Sequence, residues 1–184
     1  MSNPNIVSRF DDIYNSTHKA VLVFITARCK RTADIGDVFQ DTYMELYQVL
    51  ERRGAEYISN DKAFVLRLAR QKIARYYSLA ERMRMFVSLN AITQDDEGSE
   101  LLNFEADDFV LENFVVNQDL LNAVKELIQS QPEMVQKVFY LFYEVDITIA
   151  EIAKALAVSE SYVKNKLYRT LKELRRALIS ERGN

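Results

Sequence analysis

A chain of 184 residues, 48% hydrophobic and 28% charged, has room for one domain or two small ones, and no stretch approaches the roughly 20 apolar residues that span a bilayer. The single cysteine, Cys29, excludes an intramolecular disulfide, and with only one histidine, His18, a zinc site of the usual ligand set is not expected. Net charge of −3 argues against a nucleic-acid binder, but its distribution argues the other way: residues 61–90 carry a net +5, residues 94–119 a net −9 and residues 159–184 a net +4.

Four glycines, two prolines and no sustained period-two alternation point to an all-α fold. Met1 to Asn5 has neither the basic start nor the apolar run of a signal peptide, so a cytoplasmic protein is expected. A first helix is predicted over about 7–31, with Phe10, Ile13, Tyr14, Val21, Phe24 and Ile25 at helical spacing. In a second, Ile35, Val38, Phe39, Thr42, Tyr43, Leu46, Tyr47 and Leu50 recur at steps of three and four as one buried stripe. Asp37, Gln40, Asp41, Glu45 and Gln48 fall on its other side, and Gly54 ends it. Tyr57 to Asp61 reads as a loop in which Asn60 or Asp61 caps a third helix, about 62–84. This helix buries Val65, Leu68, Ala69, Ile73 and one of Tyr76 and Tyr77, and exposes Arg67, Arg70, Gln71 and Arg75.

The pattern then breaks, and Gln94 to Glu100 is charged and loop-like. The expected organisation is two small helical domains, 1–87 and 118–184, joined by an acidic linker at 88–117. In the second domain, helices are predicted at about 120–129 and 132–143. Thr148-Ile149-Ala150-Glu151 has the form of a capping box, and a short helix with Ile152, Ala153 and Leu156 follows. The turn Ala157-Val158-Ser159 leads to a basic helix carrying Val163 and Leu167. This is the spacing of a DNA-binding helix-turn-helix, with Ala157 at the turn position usually held by glycine. Glu160, Ser161, Lys164 and Asn165 would face base edges, and Tyr162, Lys166, Tyr168 and Arg169 the phosphates.

A helix-turn-helix fits many regulators, and the N-terminal half narrows the choice. Ala33-Asp34-Ile35-Gly36-Asp37-Val38-Phe39-Gln40-Asp41-Thr42-Tyr43 resembles the Asp-(apolar)2-Gln-(Asp/Glu) helix of sigma factor region 2. Leu66 to Tyr77 resembles the segment of that region that reads the promoter −10 element. Residues 131–178 are similar to sigma region 4, reader of the −35 element. The order of these segments resembles the extracytoplasmic-function (ECF) class of the sigma-70 family. The chain departs from the pattern at Phe64, where a tryptophan is usual, at Gln71, where asparagine is frequent, and at Arg75, where an acid or amide is common; these departures bear on which promoter is read.

The resemblance implies a sigma factor, not an enzyme, with no cofactor and no metal. Asp37, Gln40, Asp41 and Glu45 would dock on core RNA polymerase. Tyr57, Asn60, Lys62, Arg67, Arg70, Gln71 and Arg75 would engage the −10 element, including its single-stranded non-template strand. The second domain would bind double-stranded −35 DNA. An anti-sigma partner is a further implication. Three rivals are a helix-turn-helix regulator that never touches polymerase, a sigma-mimicking adaptor, and a metal enzyme built on Asp37, Asp41 and Glu45. His18 reads as a helix-face residue, Cys29 as a packed thiol, and the aromatic stripes as core.

Overall fold

The computed structural model describes residues 4–77 and 118–181. The expected linker at 88–117 lies outside the described residues, and the third helix, expected to run to about 84, ends at Tyr76, with Tyr77 in extended backbone. Among those described there is no strand, and no helix is long and apolar enough to cross a membrane.

The N-terminal unit packs three helices around one core. They are α1 (Pro4–Arg28), α2 (Ile35–Arg53) and α3 (Asp61–Tyr76), with short 3-10 turns at Thr32–Asp34 and Ala55–Tyr57. α1 begins and ends about three residues earlier than its apolar spacing suggests. The α2 stripe is buried as expected at Ile35, Val38, Thr42, Tyr43, Leu46 and Leu50, and Phe39 and Tyr47 are partly buried against it. Gly54 closes α2 at φ 90°, a backbone conformation that glycine adopts without steric cost. Asn60 caps α3, its side-chain oxygen accepting from the Ala63 N–H at 3.0 Å. Tyr77, not Tyr76, is the buried member of that pair.

The C-terminal unit comprises α4 (Gln118–Gln129), α5 (Glu133–Phe139), α6 (Ile149–Leu156) and α7 (Glu160–Glu181). The single helix expected at 132–143 changes pitch after Phe139 into a π-helical turn, Tyr140–Glu144, closed by Val145 N–H donating to the Tyr140 carbonyl. Leu141, Val138, Ile152 and Val163 are fully enclosed in its core.

The two units touch. Ala27, Leu22 and Val23 of α1 pack into the C-terminal core, and Tyr140 packs against both cores. Glu133 accepts from the Thr32 N–H at 2.8 Å and from its hydroxyl at 2.9 Å, while the Lys137 ammonium donates to the Cys29 carbonyl at 2.5 Å.

Candidate nucleic-acid interface

The helix-turn-helix follows from local chemistry. Thr148 Oγ1 accepts from the Glu151 N–H, and the Glu151 carboxylate accepts from the Thr148 N–H at 2.9 Å, so the predicted capping box is formed. Hydrogen bonds from Thr148 hold the Glu151 carboxyl below its ordinary value. Ala157 takes φ 56°, ψ 43°, and the Val158 N–H closes back onto the Ala153 carbonyl at 3.0 Å. A left-handed alanine costs roughly 1 kcal/mol, which the closed turn offsets. Ser159 then accepts from the Tyr162 N–H at 3.1 Å and starts α7. Ala153, Val163 and Leu167 are buried and Val158 packs against them, so α6 and α7 cross closely as the spacing predicts.

This crossing leaves one side of α7 to solvent. Glu160, Ser161, Lys164, Asn165, Tyr168 and Arg169 are exposed. Tyr162 and Lys166 are half-buried, with the Lys166 ammonium 5.1 Å from the Tyr162 ring centre. Arg169 pairs with Glu173 one turn on at 3.4 Å, both largely exposed, so the pair is weak and readily exchanged.

In the N-terminal unit, the start of α3 and the loop before it form a cleft of about 420 Å³ lined by Tyr57, Ile58, Ser59, Asn60, Ala63, Phe64 and Arg67. Tyr57 is 53% exposed and meets the Phe64 ring edge to face, and Arg67 lies 4.7 Å over Phe64. Lys62, Arg67, Arg70, Gln71 and Arg75 are exposed along α3. The loop is held from α1. Arg9 binds both Asp61 carboxylate oxygens at 2.6 and 3.1 Å and donates to the Ile58 and Ala55 carbonyls. No local pattern marks Arg9, because its partners lie 46 to 52 residues away.

On α2, Asp37, Gln40 and Asp41 are exposed, and Asp37 accepts from the Tyr76 hydroxyl at 3.0 Å. Glu45 differs from the expectation that it shares this open face. It is half-buried and bridges Lys72 of α3 and Arg52 at 3.4 and 3.3 Å, because the turn of α2 that carries it faces α3. Gln40 also borders a groove of about 590 Å³ lined by the aromatic rings of Phe10, Tyr14, Phe39, Tyr43 and Tyr47.

A buried carboxylate ties this unit together. Asp34 accepts from Arg31 at 2.7 Å and from the Tyr77 hydroxyl at 2.8 Å, and the same hydroxyl accepts from the Lys30 N–H. Burial opposes the charge on Asp34, but hydrogen bonds from Arg31 and Tyr77 outweigh it and hold its carboxyl below its ordinary value. Cys29 is fully buried, and burial raises its thiol to about 11, which makes it a packed, protonated group at neutral pH. His18 stacks on Tyr14 and hydrogen-bonds the Tyr14 carbonyl. Among the described residues, no group of three or more His, Cys, Asp or Glu is gathered as around a metal ion.

Two capped helices crossed over a small alanine, with a basic solvent-facing second helix, define a DNA-binding helix-turn-helix domain. Residues 121–174 match the family described as "Sigma-70, region 4", which spans α6, most of α7 and the helices beneath them. The C-terminal unit therefore carries a sigma-70 region 4 domain. None of the curated proteins compared with the chain matches it.

Proposed function

We propose that the chain is a sigma factor of the ECF class, which binds core RNA polymerase, recognises a two-part promoter and opens it. The observation that carries this reading is the pairing of a sigma-70 region 4 domain with a second helical unit bearing an exposed cationic row on α3 beside an aromatic cleft. A helix-turn-helix regulator has no use for that second surface. The exposed side of α7, led by Glu160, Ser161, Lys164 and Asn165, reads −35 base edges, while Tyr162, Lys166, Tyr168 and Arg169 lie along the phosphates. The cleft formed by Tyr57, Asn60 and Phe64 takes a base removed from the −10 stack, where π faces and a nearby guanidinium suit a single strand. Lys62, Arg67, Arg70, Gln71 and Arg75 hold the adjoining backbone. Asp37, Gln40 and Asp41 form the polymerase-facing side of α2, with Glu45 bracing the helix from behind. The chain makes and breaks no bond itself. An anti-sigma partner in the cytoplasm would act by covering these faces.

In vitro transcription tests the reading, using the full chain, core polymerase from its host and fragmented host DNA. Discrete 5′ ends sharing a two-part upstream motif, seen only with the chain, support it. Tight core binding without starts would favour a sigma-mimicking adaptor, and neither starts nor core binding would favour a plain regulator. Two substitutions refine it. Asp41→Lys reverses a charge on an open helix face, so it should weaken core binding at least tenfold with helix content unchanged; equal affinity by titration would remove Asp41 from the interface. Lys164→Ala should weaken −35 duplex binding by the holoenzyme and lower its salt slope by about one, and an unchanged slope would turn Lys164 away from DNA.

A further inference from the structure

Two aromatic–arginine platforms lie along α3. The first, Phe64 with Arg67, belongs to the cleft already described. The second is assembled from two helices. Phe24 of α1 carries the Arg28 guanidinium 3.8 Å above its ring centre, and Arg70 of α3 approaches the same ring to 5.9 Å. Arg28 sits four residues after Phe24 and donates to its carbonyl at 3.3 Å, so its position is fixed by α1 itself. Two cations are thus held around one aromatic ring, and among the described residues neither is in an ion pair. Arg31, three residues on, is not available to them, since it is committed to Asp34.

Like charges gathered without a counter-charge repel each other in the free protein. Consistent with that, burial and then the neighbouring Arg70 lower the Arg28 guanidinium from its ordinary value. An anion reaching both guanidiniums relieves this repulsion and meets donors already immobilised by stacking on Phe24. Arg70 lies one turn along α3 from Arg67, so this second platform continues the line begun at the cleft, at a spacing of about one helical turn.

We propose that Arg28 and Arg70, set around Phe24, form a seat for a backbone phosphate of the promoter strand whose base enters the cleft at Tyr57 and Phe64. Arg28 is thereby a DNA-contacting residue supplied by α1, and it anchors the strand without reading sequence. This rests on the reading of α3 as a DNA-binding face.

The test measures promoter binding by holoenzyme assembled from the full chain and host core polymerase, as a function of salt, on DNA carrying the start sites found by transcription. Wild type, Arg28→Gln, Arg28→Lys and Arg28→Gln/Arg70→Gln are compared. Arg28→Gln should weaken binding severalfold, equally for strong and weak promoter sequences, and lower the slope of log K against log salt by about 0.7 to 0.9. Arg28→Lys should restore the slope, and the double variant should lose about twice as much. Helix content should not change, because Arg28 is the last residue of α1. An unchanged slope in Arg28→Gln, with wild-type binding intact, would overturn the phosphate seat and leave the function standing. Absence of salt-dependent promoter binding in the wild type would overturn both.

Discussion

Ile152→Ala is expected to lower the stability of the C-terminal unit by about 3 kcal/mol and its thermal midpoint by roughly 15 °C. Ile152 has no exposed surface and lies in one cluster with Val138, Leu156 and Val163, where α5, α6 and α7 meet. Truncation removes three carbons from a site whose neighbours come from three helices, so collapse onto the void requires all three to shift. The magnitude decides which interaction defines this domain. The capping box at Thr148 contributes about 1 kcal/mol, and the left-handed strain at Ala157, offset by its closed turn, is of similar size. Packing beneath α6 therefore outweighs both and sets the angle at which α7 is presented. A unit this small has only a few kcal/mol in hand, so binding of duplex DNA should fall with stability even though no exposed side chain of α7 is altered. Thermal melting gives the size of the effect, and hydrogen exchange at the amides of residues 153–156 and 163–167 gives its place. Protection unchanged at those amides would mean that the crossing is held by something other than this core.

The helix-turn-helix was legible because its determinants are local. A Thr–Glu pair three apart, a small residue at the crossing, a serine cap and an apolar repeat all fall within twenty residues, and each forms the contact its spacing predicts. The α2 stripe was legible for the same reason. Glu45 was not, since helical spacing places it on the open side and only the approach of Lys72, 27 residues away, draws it inward. The change of pitch at Tyr140 has no glycine or proline to announce it.

The residues that complete the candidate site are of the same long-range kind. Arg9 acts through partners brought near by folding, and Asp34, besides its local pair with Arg31, depends on Tyr77, 43 residues away. Arg28 stands between these cases. Its spacing of four from Phe24 is readable as a cation over a ring on one helix face. What spacing cannot supply is Arg70, placed at the same ring by the packing of α3 on α1. Local patterns thus located the faces, and tertiary packing decided which side chains stand on them.

Exchanging the charges of Glu133 and Lys137, as Glu133→Lys with Lys137→Glu, is expected to release the C-terminal unit from the N-terminal one. These residues lie four apart on α5, so one helix face offers a carboxylate and an ammonium to two different backbone ends. The carboxylate accepts from Thr32, whose N–H opens the turn leading into α2, and the ammonium meets the Cys29 carbonyl just beyond the end of α1. Each charge has the sign that complements the helix end it meets, and the exchange opposes both while conserving composition and net charge. Three hydrogen bonds involving charged groups are lost from half-buried positions, about 3 kcal/mol in all, or roughly a hundredfold in the docking equilibrium. The Lys19–Asp146 pair at 3.6 Å is too exposed to compensate. X-ray scattering should show a larger radius of gyration, with hydrogen-exchange protection in both cores retained; an unchanged radius would mean that the apolar contact of Leu22, Val23 and Ala27 holds the units together without this pair. Release uncovers neither candidate surface, because Arg67, Arg70, Lys164 and Asn165 are exposed while the units are docked. What it changes is the distance over which those surfaces can be held apart, the property on which the proposed recognition of a two-part promoter depends.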